Sequence, residues 1–336
     1  MTRAHLGALA LACLATAASI TTADARCTIN APGIGITPVT ANTGTIVPPT
    51  APTAQAVNFT VSGTYTTNGT AGTCRVAISF NRASLPASMA RSGGGATLPY
   101  TIRSLAGGGN TLLYTGGGIP AAANRLLVTF ASAGPNLTNR AFSVNMTAYF
   151  LAQPGTPQRE GSYTDGPTVH IFNVRGGGAA TDLGSRAFTV NGTVSKSCTI
   201  GGVINPADST ATIPVSTAGV VTTTAIVRSF VSVVCNSLTN VGAESQSGAV
   251  ARSGAPPSGF TNLINYSASA TFSGATSTLN TATIATATAP ESGTIATTAS
   301  ATPSGTLSVT ITPQAAASRL MSGSYADTLR IRLTAQ

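Results

Sequence analysis

The sequence predicts an all-β protein built as two β-sandwiches in tandem. Three observations carry this. Apolar residues recur at every second position in many short runs, the period of a strand with one buried and one wet face. These runs are separated by Gly, Pro, Asn and Ser, the residues of turns. The chain also repeats itself. Cys27-Thr28-Ile29 recurs as Cys198-Thr199-Ile200, Cys74 as Cys235, and Gly161-Ser162-Tyr163-Thr164-Asp165 as Gly323-Ser324-Tyr325-Ala326-Asp327, the last two at nearly the same offset.

The length of 336 residues suits about two domains. Hydrophobic residues make up 42% of the chain and charged ones 7%, so packed cores are within reach and charge-driven disorder is not expected. Two histidines and eight carboxylates are a poor stock for acid–base or metal chemistry.

Taken in order, residues 1–25 read as a secretory signal peptide. Arg3 and His5 make a short polar start, and Leu6 to Ala18 is an apolar run too short for a membrane span. Small residues in Ala23-Asp24-Ala25 place cleavage after Ala25. A lipid-modified Cys13 is the weaker alternative, because Ala10 stands three residues before it. The chain is therefore expected to leave the cytoplasm and reach the cell surface or the medium.

Residues 26–174 are expected to form the first domain. Val57, Phe59 and Val61 alternate with polar residues, as do Cys74, Val76, Ile78 and Phe80, and later Val144, Met146, Ala148 and Phe150. Residues 175–185 read as a flexible linker around Gly176-Gly177-Gly178. The second domain is then 186–336, with alternating rows at Phe188, Val190, Gly192 and Val194 and at Leu329, Ile331 and Leu333. Residues 267–310 are rich in Thr, Ala and Ser. Ile284, Ile295, Leu307, Val309 and Ile311 are expected to anchor them as strand and loop rather than as a disordered stalk.

Four cysteines follow the leader. An even number in an exported chain points to disulfides, and their order favours Cys27–Cys74 and Cys198–Cys235, one per half. Each would close a loop of roughly 40–50 residues and stabilise by about 4 kcal/mol in the chain-entropy model. Zinc is the alternative, but there is no C-x-x-C and no histidine near any cysteine.

The net charge is +9, with Lys196 the sole lysine and the arginines scattered singly. That pattern gives solubility and loose attraction to anionic surfaces, not the basic clusters of a nucleic-acid binder. No enzyme is expected. His170 lies on the outer phase of a strand without an obvious partner, and a Ser nucleophile without a His base has no activation route. Asp165 recurs as Asp327, which favours a repeated turn cap over a carboxylate pair with Glu160. The glycine tracts at 93–95, 107–109 and 116–118 lack the Lys and Ser/Thr of a phosphate loop. No cofactor or metal is expected.

The second half resembles a spore coat protein U domain. The resemblance rests on Phe188 to Val194 before Ser197-Cys198-Thr199-Ile200-Gly201-Gly202, on the strand ending in Cys235, and on the closing Gly323-Ser324-Tyr325-Ala326-Asp327-Thr328-Leu329-Arg330-Ile331-Arg332-Leu333. The first half carries a weaker version, Gly161 to Asp165 and then Thr168 to Ile171, interrupted by Gly166-Pro167. Such domains are similar to subunits of archaic chaperone–usher pili. The resemblance implies immunoglobulin-like, pilin-type sandwiches, the C-terminal one lacking its last strand. A periplasmic chaperone lends that strand, an outer-membrane usher assembles the subunits, and a neighbouring pilin later donates a strand of its own. Leu329, Ile331, Leu333, Phe188, Val190 and Val194 are then expected to line the groove.

The chain stops three residues after Leu333, leaving no further strand to pair with that row. The mature start at Arg26-Cys27 leaves no alternating segment to donate forward. These features suit a subunit at the pilus tip that mediates surface attachment through its first domain. Ile46, Val47, Leu85, Met89, Ile119 and Pro120 are candidate adhesive-loop residues, with burial at the sandwich ends as the alternative. Tyr65, Tyr100, Tyr114 and Tyr149 are candidates for a sugar site, with core packing as the alternative. Two other readings remain open: a structural coat protein of the cell or spore surface, and a stand-alone carbohydrate-binding lectin.

Overall fold

Strands account for nearly all regular structure in this computed structural model. It describes residues 26–30, 33–46, 55–68, 74–82, 86–104, 112–113, 115–116, 120–130, 136–150, 158–174, 181–201 and 208–336. The leader (residues 1–25), the core of the expected linker (175–180), Tyr114 and the loop residues Val47, Leu85 and Ile119 lie outside the described residues.

The first half contains β1 (Arg26–Ile29), β2 (Gly35–Thr37), β3 (Thr40–Ile46), β4 (Gln55–Asn68), β5 (Cys74–Asn81), β6 (Ala87–Arg91) and β7 (Thr97–Ser104). It continues with β8 (Leu126–Phe130), β9 (Arg140–Phe150), β10 (Gly161–Asp165), β11 (Thr168–Asn173), β12 (Thr181–Ala187) and β13 (Thr189–Val194). One sheet runs β1-β4-β9-β7-β6-β10-β13-β3, with β2 also on β4, and the other runs β12-β11-β5-β8. A single core draws on both: Phe59 and Val61 from β4, Val76, Ile78 and Phe80 from β5, and Val169 and Ile171 from β11. The period-two rows read from the sequence are therefore the two inner faces.

The second half contains β14 (Cys198–Ile200), β15 (Ile226–Cys235), β16 (Thr239–Ser245), β17 (Val250–Ala251), β18 (Phe260–Thr261) and β19 (Leu263–Ile264). After these come β20 (Tyr266–Phe272), β21 (Ala275–Asn280), β22 (Glu291–Thr297), β23 (Thr302–Pro313), β24 (Arg319–Leu320) and β25 (Leu329–Ala335). Its larger sheet runs β14-β15-β23-β20-β21 and its smaller one β22-β16-β25. The Thr/Ala/Ser-rich stretch is thus folded strand. Leu307 and Val309 are buried, but Ile295 is 71% exposed on β22 and anchors nothing.

Both disulfides form as paired from the sequence, Cys27–Cys74 and Cys198–Cys235. The pairing pattern also repeats. β4 lies between β1 and β9 as β15 lies between β14 and β23, and β5 lies between β11 and β8 as β16 lies between β25 and β22.

The domain boundary differs from the sequence expectation. Residues 181–194 belong to the first half, not to a linker and the second domain. β12 pairs antiparallel with β11 from Thr168↔Ala187 to Asn173↔Thr181, and β13 pairs with β10 and, in parallel, with β3. Phe188, Val190 and Val194 are each at most 3% exposed and sit in the first core. Phe188 wedges between Phe59 and Phe80, with ring centroids 4.9 and 5.7 Å away. These three side chains therefore do not line a groove in the second domain. Composition misled because β12, Thr-Asp-Leu-Gly-Ser-Arg-Ala, has no apolar alternation. It is held by backbone hydrogen bonds to β11, which composition does not report.

Asn236 ties the halves together. Its side-chain amide donates to the carbonyls of Gln158 (3.1 Å) and Ser195 (2.8 Å), and its Oδ1 accepts from the Ser197 N–H (2.8 Å). Its own carbonyl accepts from the Glu160 N–H at 3.2 Å.

Candidate functional site: the open edge of the second domain

The repeat gives an internal standard for what a completed sheet looks like. In the first half β11 has a partner on each side, β5 and β12. Its inward residues Val169 and Ile171 are fully buried. In the second half β25 pairs with β16 from Thr239↔Ala335 to Ser245↔Leu329, and among the described residues nothing pairs with its other edge. Ile331 and Leu333 occupy the places of Val169 and Ile171. Together with Leu329 they face the core yet are only partly buried. Ile200 on β14, Phe230 on β15 and Ile311 on β23 pack on the same core and are also only partly buried. Leu329, Ile331 and Leu333 thus lie in one row on the edge strand, beside an apolar face that no strand covers among the described residues. An unpaired edge beside uncovered apolar side chains favours strand addition.

Glycine, tyrosine and aspartate fix where β25 starts. Gly323 has a φ of +146°, in a region L side chains rarely adopt, and a Cβ there would run into the Arg252 guanidinium. Its counterpart Gly161, at φ +129°, has Arg91 in the same place. Asp327 accepts hydrogen bonds from the Tyr266 hydroxyl (2.7 Å), the Ser245 hydroxyl (2.6 Å) and the Ser247 N–H (3.0 Å). One carboxylate thus joins β20 of the larger sheet to the end of β16 in the smaller one, just before β25 begins. In the first half Asp165 accepts from the Tyr100 hydroxyl (2.5 Å) and the Gly166 N–H (2.8 Å) and pairs with Arg82 at 2.9 Å. The repeated aspartate is therefore more than a turn cap, since it clasps the two sheets. Burial, reinforced by the aspartate hydrogen bond, holds the Tyr100 and Tyr266 phenols well above the usual tyrosine range. The sequence showed the repeated Gly–Tyr–Asp but could not name its long-range partner.

Arg330 and Arg332 point outward from β25. Arg332 pairs with Glu244 on β16 at 3.1 Å, with its side chain 62% exposed. In the first half the place of Arg332 is taken by His170, whose Nδ1 lies 3.0 Å from Asp182 of β12. His170 thus has a charged partner that sequence reading missed, because Asp182 lay in the supposed linker.

Three of the adhesive-loop candidates, Met89, Pro120 and Ile46, fall within the described residues. Met89 lies on β6 and is fully buried, and Pro120 is buried as well. Ile46 ends β3 rather than sitting in a loop. Of the tyrosines, Tyr65 and Tyr100 are core residues, and Tyr149 lies under the Arg103 guanidinium at 5.2 Å from the ring centroid.

No protein-family model matches the chain, and no curated protein matches it. Solved structures similar to it include tip adhesins and pilin subunits. One is a chaperone–tip adhesin pre-assembly complex from archaic Csu pili of Acinetobacter baumannii, at 12% identity, covering 92% of this chain and 99% of that one, with a TM-score of 0.38. Another is the CupB6 tip adhesin of Pseudomonas aeruginosa, at 8% identity, covering 93% and 94%, with a TM-score of 0.31. The CssB subunit of enterotoxigenic Escherichia coli, complemented with a donor strand from CssA, matches 48% of this chain and 97% of its own, at 16% identity and a TM-score of 0.27.

Proposed function

We propose that the chain is an adhesive subunit of a chaperone–usher pilus, placed at the tip, whose second domain accepts a strand along β25. The observation that carries the reading is internal to the molecule. β12 covers β11 in the first half, and the matching place beside β25 holds no strand among the described residues. The first domain needs no such help, since residues 181–194 complete it, and it is left to contact a surface or receptor. The partners on this reading are a periplasmic chaperone, the usher and a neighbouring pilin. The CssB structure names a donor strand in its own assembly, and the same chemistry suits the edge described here.

Expression of residues 26–336 in an oxidising periplasm, with and without an archaic pilus chaperone, tests it. A one-to-one complex on co-purification, with little soluble protein otherwise, is expected. A soluble, cooperatively folding monomer without any chaperone would overturn strand acceptance and return the coat or lectin readings.

A further inference from the structure

The edge carries information about which strand it prefers. This inference rests on the strand-accepting reading. β25 alternates Leu329, Ile331 and Leu333 inward with Arg330 and Arg332 outward, and both arginines are exposed. The carboxylates nearby are mostly committed. Glu244 faces Arg330 in register but pairs with Arg332, and Asp327 is taken by Tyr266, Ser245 and the Ser247 amide. Arg330 has no ion-pair partner among the described residues. An incoming strand would run beside two outward cations, of which only Arg332 has a carboxylate partner among the described residues.

The first half shows how a strand in this position meets that side chain. β12 occupies the equivalent edge, and its outward Asp182 reaches the ring of His170, which stands where Arg332 stands in the second half. The complementing strand of the first domain thus brings a carboxylate to the basic outward residue of the strand it covers. We infer that the second domain selects a partner strand with acidic residues on its outward face, opposite Arg330 and Arg332, as well as apolar residues facing in. Opposite charges across adjacent strands favour pairing and like charges oppose it. The edge then discriminates between donors that fill the groove equally well.

The test refolds residues 26–336 with one of three synthetic peptides as long as β25. Each alternates valine with glutamate, glutamine or lysine. Affinity and the rise in melting temperature are read at low and high salt. The glutamate peptide is expected to bind tightest and the lysine peptide weakest, about tenfold apart. The gap should close at about 1 M salt. In Arg330→Gln/Arg332→Gln the ranking should vanish while the glutamine peptide binds as before, and both positions are exposed, so folding is spared. If all three peptides stabilise the wild type equally, or lysine wins, the charge selection is wrong although the open edge stands. If none stabilises it, strand acceptance fails and the selection falls with it.

Discussion

At the scale of single residues, the repeated tyrosine–aspartate clasp holds the second domain's sheets together at the root of β25. Tyr266→Phe removes one hydrogen bond to a buried-side carboxylate and should cost about 1–2 kcal/mol, read as a lower melting temperature with the native disulfides intact. The clasp also sets an alkaline limit. The Tyr100 and Tyr266 phenols titrate higher folded than unfolded. Their contribution is therefore fully present below the unfolded tyrosine value of about 10 and is lost as pH rises beyond it. Melting temperature should hold steady up to about pH 10 and fall above it, and the fall should be shallower in Tyr100→Phe/Tyr266→Phe. At the lip of the groove, Ile331→Asp puts a charge where an apolar side chain meets the core. It should abolish chaperone capture, and normal assembly of that variant would count against strand acceptance.

At the scale of elements, β12 and β13 are what the sequence concealed. The rows at 57–61, 74–80, 144–150 and 329–333 were legible because one buried face imposes period two. The cysteine pairing was legible because the repeat placed one pair in each half. β12 was not, because an edge strand held by backbone bonds carries no hydrophobic pattern, and a glycine-rich stretch just before it reads as a linker. The alternation at 188–194 was visible, but alternation alone does not say which core receives it. Phe188 settles the matter by its contacts with Phe59 and Phe80. Phe188→Ala should destabilise the first domain by about 3–5 kcal/mol and leave donor-peptide binding to the second unchanged. Loss of peptide binding together with the first domain would mean that residues 181–194 also serve the second.

At the scale of the whole molecule, the two halves share one plan and differ in how it is finished. In the first, β12 covers the outer edge of β11, and in the second no strand among the described residues covers the matching edge of β25. They meet through Asn236, whose amide bridges Gln158 of one half to Ser195 at the junction, beside the Cys198–Cys235 bond. Lys196, the sole lysine, lies between Ser195 and Ser197, both hydrogen-bonded to Asn236. Asn236→Ala should loosen the junction and speed tryptic cleavage after Lys196 by roughly tenfold, with melting of the first domain unchanged.

The difference between the two edges is most directly read by hydrogen exchange of the free chain, comparing amides of β25 with those of β11. If β25 has an open edge, its amides turned toward β16 will be protected and the alternate ones will exchange freely until a chaperone or donor strand is added. Those of β11 will be slow on both sides throughout. Equal protection of both sets in β25 without any partner would contradict an open edge and, with it, the pilus reading.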